Sequence, residues 1–331
     1  MTALAHGKCI REEQECGGCP CGWDASRRES FASKLDAIEW IRIAAVCGVV
    51  WFHIKDGPFK QIGYAGLIVF ILISVVFQAA GAEKDLFAKY IRKKSARIIP
   101  PWIFWFGFYG LLNSAKGKEL FPYSKGVVAN VLTGPWVGLW FLPFIFMVSV
   151  MVFALAKMSA DWNPLGRAAV YLAIGLAMLL DMHYVPKPWL AHAPWGQWMH
   201  ALPALPIGMG LHGVLKTAGR TRASAMVVFL IMVEIVCITL RNSDPGVAIP
   251  YGVAVLVVSA GYLIPSRLPP AVTRLGGLCM GVYLVHSFIM SMLKTLLMAG
   301  SAPWSLFAVT VVLSLILVAL MRGNRWLAKV I

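Results

Sequence analysis

Apolar runs of about twenty residues recur along this chain, separated by short basic segments. A bilayer core about 30 Å thick needs about 20 apolar residues per helix. No water is present there to satisfy a free backbone, so the spanning elements close their own hydrogen bonds. That ruler gives ten spans, at 36–54, 62–81, 98–113, 137–157, 167–182, 198–216, 223–240, 247–264, 276–298 and 304–321. The expected fold is all-α, a polytopic membrane protein with about ten transmembrane helices. The third and fifth runs are short, which calls for tilt or snorkelling. Residues 114–136 are polar and punctuated by Gly and Pro, and read as an outer loop that partly re-enters the protein.

Composition agrees with this class. Of 331 residues, 59% are hydrophobic and 14% charged, where soluble domains carry about 25% charge. A net charge of +15 would suit a nucleic-acid partner in a soluble protein. Here the Lys and Arg fall between the spans, so membrane lipid is the expected partner and nucleic acid is not. With the N-terminus inside, 21 of these residues lie on the inner side and 8 on the outer. The positive-inside rule then sets an N-in/C-in orientation in a multi-pass plasma-membrane protein.

Residues 1–34 lack the apolar core of a signal peptide, so they read as a retained cytosolic tail without order, with 35–331 as the membrane domain. The tail holds Cys9, Cys16, Cys19 and Cys21. Four thiolates suffice for zinc or an iron–sulfur cluster. Their spacing matches no standard ligand pattern, however, and no metal is expected. Cys47, Cys237 and Cys279 lie in apolar runs and read as small packing residues.

Ionisable residues inside the spans are the candidates for function, because each is expensive in hydrocarbon. Arg42 and His53 share the first span. Eleven helical steps turn through about 1100°, which returns them to one face about 16 Å apart. Glu39 is three residues before Arg42 and can pair with it. The loop before the third span is strongly basic and leads to Pro100–Pro101, read as a helix start. Within it Lys94 and Arg97 share a face and form a candidate phosphate grip. The fourth span opens on the aromatic stretch GLWFLPFIF, with Trp140. His286 and Glu234 sit in the ninth and seventh spans, and a buried hydrogen-bonded role is open to both.

Together these landmarks resemble a family. Glu39-Trp-Ile-Arg42, then ten residues and His53, is similar to the first helix of the acyltransferase family 3 membrane O-acyltransferases. Lys94-Ser-Ala-Arg97-Ile-Ile-Pro100 resembles that family's basic pair before a proline. Trp140-Phe-Leu142, the ALPALPIGMG stretch with Gly208, and Tyr283-Leu-Val-His286 follow in the family's order. One departure is Ser74-Val-Val-Phe77, where the family commonly ends its second helix on Ser-Gly-Phe.

The resemblance implies transfer of an acyl group, most often acetyl, from cytosolic acyl-CoA. The acceptor it implies is a hydroxyl on a glycan or lipid-linked sugar outside a bacterial inner membrane. Acyl-CoA is then a co-substrate, with no resident cofactor. His53 and Glu39 take catalytic roles, His53 as general base or transient acyl carrier. Arg42, Lys94 and Arg97 take the donor phosphates. Trp140, Tyr283 and His286 support the centre or face the acceptor. The alternative from the residues alone is a proton-coupled transporter or flippase with His53, Glu234 and His286 as a relay. The absence of a discernible two-fold repeat counts against it.

Overall fold

The structure is a computed structural model that describes residues 25–55, 57–122, 126–182, 192–217, 245–263, 270–296 and 302–331. Among these it is helical throughout, with no strand. We number the helices α1 (Ala25–Phe52), α2 (Lys60–Lys84), α3 (Phe87–Ala115), α4 (Val127–Thr133), α5 (Phe141–Met158), α6 (Pro164–Asp181), α7 (Trp195–Ala201), α8 (Ala204–Thr217), α9 (Pro245–Leu263), α10 (Pro270–Gly276), α11 (Cys279–Leu296) and α12 (Pro303–Gly323). A 3₁₀ turn at Val137–Trp140 leads into α5, and another at Leu327–Lys329 follows α12.

Among the described residues four segments are long and apolar enough to cross a membrane: Lys60–Lys84, Val137–Met158, Pro164–Asp181 and Pro303–Gly323. Shorter apolar helices cover Ile249–Gly261 and Cys279–Thr295. Large apolar side chains face outward on several helices, among them Ile103, Leu111, Leu256, Val312, Ile316 and Leu320. An exterior this apolar belongs against lipid rather than water. The span expected at 223–240, with Glu234 and Cys237, lies outside the described residues, as do the tail cysteines.

Two expectations need correction. Pro100 and Pro101 do not start a helix; they lie inside the 29-residue α3. The stretch before them is rich in Ala, Lys, Arg and Ile, which favour or tolerate helix. Its Tyr90 and Ile98 are also buried in the core. The prolines remove the amide donors that would reach the carbonyls of Ala96 and Arg97. The single helix expected at 198–216 is instead two, α7 and α8. Pro203 has no N–H to bond Met199, so the ladder stops and restarts. After the break Leu205 bonds back to Leu202 and Ile207 to Pro203. The helix α1 begins at Ala25, so its first turns cover part of the segment assigned to the tail.

The loop at 114–136 does turn back into the bundle. Asn113 donates to the carbonyl of Pro135 at 2.9 Å, and the ring of Trp136 packs 5.0 Å from that of Tyr109. The short α4 carries the chain between them.

Helix α1 forms the post of the fold, in contact with α2, α9, α10, α11 and α12. Its pairing with α2 is antiparallel and backbone to backbone. A Cβ on Gly63 would sit 2.8 Å from the Gly48 carbonyl oxygen, and one on Gly66 would collide with that of Ala45. Small residues let membrane helices approach this closely and gain dispersion contacts in place of a hydrophobic drive.

Gly66→Leu should therefore separate α1 from α2 and sharply reduce the yield of folded, detergent-extracted protein. Gly107→Leu, on α3 where nothing lies within 4 Å of the added Cβ, should change it little. Thermal unfolding followed by size-exclusion fluorescence compares the two, since overpacking costs about 1–3 kcal/mol or more.

Candidate functional site

Two clusters lie along α1, one about its midpoint at Glu39 and one at its C-terminal end. The Glu39 end is called inner and the His53 end outer. At the inner end Arg42 Nη1 donates to both carboxylate oxygens of Glu39, at 2.9 and 3.1 Å. The carboxylate packs on Gly276 at the end of α10, where any side chain would collide with it. Arg97 of α3 lies within electrostatic reach of Arg42. Lys94, one turn away from Arg97, sits over the ring of Tyr90 at 5.2 Å. Burial pushes the Lys94 ammonium down to about 8, helped by repulsion from Arg97 and Lys93.

At the outer end α1 stops at Phe52, and His53 closes the turn by donating its N–H to Val50 O at 3.2 Å. Its half-buried ring faces that of His286 on α11, with centroids 5.1 Å apart. His286 is 0% exposed. Its Nδ1 lies 2.6 Å from the carbonyl oxygen of Tyr283. A carbonyl only accepts, so Nδ1 carries the hydrogen and Nε2 of the neutral ring is left as acceptor. The Ser287 hydroxyl donates to that Nε2 at 3.2 Å. Tyr283 in turn donates its hydroxyl to Gly138 O at 2.8 Å, tying α11 to the turn before α5.

The sequence-expected residues thus fall into two groups. His53, Tyr283 and His286 meet at the outer end, and Glu39, Arg42 and Arg97 at the inner end. Fourteen residues of helix, about 21 Å, separate Glu39 from His53. Glu39 is therefore placed to hold Arg42 and not to act beside His53. Trp140 does not reach the histidines either; it is buried against Phe144 and Phe141. The tryptophan beside His286 is Trp136, at 5.7 Å between ring centroids. In the sequence it is only part of the loop at 114–136. The signal that marks it is its place next to Gly138, over which its ring lies and where a side chain would leave no room.

A third polar group joins helices distant in sequence. Arg167, counted only as a topogenic charge, is buried. It donates to Glu83 at 3.2 Å and to Ser159 O at 3.4 Å, and His212 lies 3.3 Å from the same carboxylate. This network joins the inner ends of α2, α5, α6 and α8. Among the described residues no three His, Cys, Asp or Glu side chains cluster as a metal site.

The model of the acyltransferase domain of family 3 matches residues 35–323. The chain belongs to that acyltransferase family. No curated protein and no solved structure matches it. The family makes the chain a membrane acyltransferase, which takes an acyl group from a donor and gives it to an acceptor. The matched region includes Glu39, Arg42, His53 and all of α11.

The Lys94 ammonium supplies a pH prediction for this acyltransferase. It is charged below pH of about 8 and loses its proton as pH rises through that value. If it grips an anionic acyl donor, the apparent KM for that donor should rise above pH 8. In Lys94→Arg that rise should vanish, since guanidinium stays charged. A KM that rises identically in both proteins would remove Lys94 from the donor site.

Proposed function

We propose that this acyltransferase moves an acetyl group from cytosolic acetyl-CoA to a hydroxyl of a glycan or lipid-linked sugar outside a bacterial inner membrane. The observation that carries the reading is the arrangement along α1. An arginine held by a carboxylate and approached by Arg97 stands at one end, and an accessible histidine backed by a buried one stands about 16 Å further on. Coenzyme A has the complementary shape, with phosphates at one end and a thioester at the tip of a long neutral arm.

The chemistry assigned to His53 balances simply. Its neutral imidazole takes the proton of the acceptor hydroxyl as the oxygen attacks the thioester carbon. The C–O bond forms, the C–S bond breaks, and the imidazolium returns the proton to the departing thiolate. The half-buried His53 can meet substrate, whereas the enclosed His286 supports it from behind. A histidine that carries the acyl group as an acyl-imidazole would use the same geometry. Retention of radiolabel on denatured enzyme after donor alone separates the two routes.

Ten spans with both termini cytosolic fit this chemistry, because donor and acceptor then enter from opposite sides. Helix directions support that topology. The inner end of α2 meets those of α6 and α8 through Glu83. The outer end of α12 stacks Trp304 on Trp51 at 4.1 Å. The inner end of α9 brings Gly261 against Ile41. Both α8 and α9 run from outer to inner, and the seventh expected span falls between them. Single cysteines replacing Lys118 and Arg325 should label from opposite sides of the membrane. Labelling from the same side would overturn the orientation and the donor side with it.

Membranes containing the protein should release CoA from acetyl-CoA when an acceptor sugar is supplied. His53→Ala should lower that release about 10²–10⁴-fold while inserting normally. Activity within a few-fold of wild type would return His53 to a packing role. Absence of CoA release by wild type with any glycan acceptor would overturn the substrate assignment.

A further inference from the structure

Of the eight Lys and Arg expected on the outer side, three gather near the two histidines from three helices. Lys60 is the first residue of α2. One turn on, a Cβ at Gly63 would lie 3.1 Å from the Phe52 amide nitrogen, so the start of α2 sits beside the end of α1. Lys294 is in the last turn of α11. Both ammonium groups lie within electrostatic reach of His53. Lys116, just past the end of α3, donates to the Ser291 hydroxyl of α11 at 3.2 Å. Ser291 stands four residues after Ser287, whose hydroxyl meets Nε2 of His286 at 3.2 Å. Ser287, Ser291 and Lys294 recur at intervals of four and three, so they share one edge of α11. From His286 outward the residues grade from buried, through half-buried Ser287 and Ser291, to exposed Lys294. This edge gives a hydrophilic approach to the histidines from the outer surface. The positive-inside rule, which accounts for the inner Lys and Arg, supplies no reason for lysines on this side.

We propose that the acceptor enters along this edge of α11, and that Lys60, Lys116 and Lys294 select a glycan with a negative charge close to the hydroxyl that is acylated. The inference rests on the reading of His53 as the acyl-transfer histidine, and adds to it the class of acceptor. The spacing along α11 suits such a substrate. Lys294 lies eight residues beyond His286, about 12 Å along the helix. A hydroxyl held at His53 therefore leaves the rest of the same acceptor beside the ammonium groups. A carboxylate or phosphate there meets cations from more than one side in charge-assisted hydrogen bonds. Lysine fits this use, because a point charge on a flexible stem follows an anion whose orientation is not fixed. At an open mouth, salt screens the attraction beyond about 8 Å, so the charge must lie near the reacting hydroxyl. The anion has two possible sources of one chemistry: the carboxylate of an acidic sugar, or the diphosphate that joins a sugar to its lipid.

The test measures CoA release by the full chain in nanodiscs of neutral phosphatidylcholine, at saturating acetyl-CoA. Two pairs of acceptors differ in charge alone. One is an oligosaccharide ending in glucuronate and its carboxyl-reduced counterpart. The other is a sugar on a prenyl diphosphate and the same sugar on the neutral prenol. In at least one pair the anionic member should show an apparent KM about tenfold lower, and which pair does so identifies the source of the charge. Lys60→Gln and Lys294→Gln should each reduce that preference several-fold. Lys294→Arg should retain it, and Lys294→Glu should reverse it. Added salt should narrow it in wild type. Equal KM within both pairs would overturn the inference while leaving the acyl-CoA reading intact. So would a preference undiminished in both glutamine variants. If the lysine variants matter only in discs containing phosphatidylglycerol, the lysines meet lipid headgroups and the inference fails. A wild type that releases CoA with none of the four acceptors would overturn the glycan reading itself.

Discussion

The contact between α1 and α2 admits no side chain at Gly63 or Gly66, and the geometry of both sites follows from that closeness. Lipid tails are as apolar as a leucine, so helices in a membrane gain little by hiding hydrophobic surface from each other. Close backbone approach supplies the dispersion energy instead. With α2 drawn tight on one side, the remaining circumference of α1 is free to meet α9, α10, α11 and α12. The candidate residues Glu39, Arg42 and His53 all lie on this helix or at its end. Its position thus sets the distance between the charged end and the histidine end.

Much of this was legible because the bilayer imposes simple rules. The helical class follows from the length of the apolar runs, a one-dimensional fact with direct three-dimensional meaning. The Glu39–Arg42 pair is local, three residues apart, and appears as the helix period demands. The juxtaposition of His53 and His286 was not legible, since it joins helices more than two hundred residues apart. Each histidine alone had an innocent explanation. Their facing rings come only from the way α11 runs beside α1, from Cys279 near Arg42 to His286 near His53.

The misreadings have a common cause. Pro100–Pro101 and Pro203 carry the same local signal, yet one pair lies within a continuous helix and the other proline divides two. What differs is the surroundings. The residues before Pro100 form helix readily and place Tyr90 and Ile98 in the core. Tertiary packing outweighs the lost backbone bonds there. Trp140 and Trp136 show the same limit. Four residues apart, they differ in role because Trp136 precedes the turn at Gly138 and swings its ring toward His286, while Trp140 belongs to the core side of α5. Glu39 takes a catalytic role by resemblance alone, and about 21 Å of helix lie between it and His53.

The separation of the two ends makes physical sense for a reaction carried across a membrane. A phosphate moved into hydrocarbon would carry a desolvation penalty far larger than any single contact could offset. On the proposed reading the phosphates never make that journey. They stay at the inner end, where Arg42 and Arg97 converge, and only the thin uncharged arm passes between the helices. The acetyl group it delivers is small and neutral, so its passage involves no charge transfer through the core. On the same reading, what moves during chemistry is one proton, between hydroxyl, His53 and thiolate, over a few ångströms at the outer end. A buried second imidazole whose Nδ1–H is fixed by the Tyr283 carbonyl keeps that end ordered without adding a permanent charge. Fixed charge at the inner mouth and neutral, orientable imidazoles at the far end are the division that a low-dielectric path between them requires.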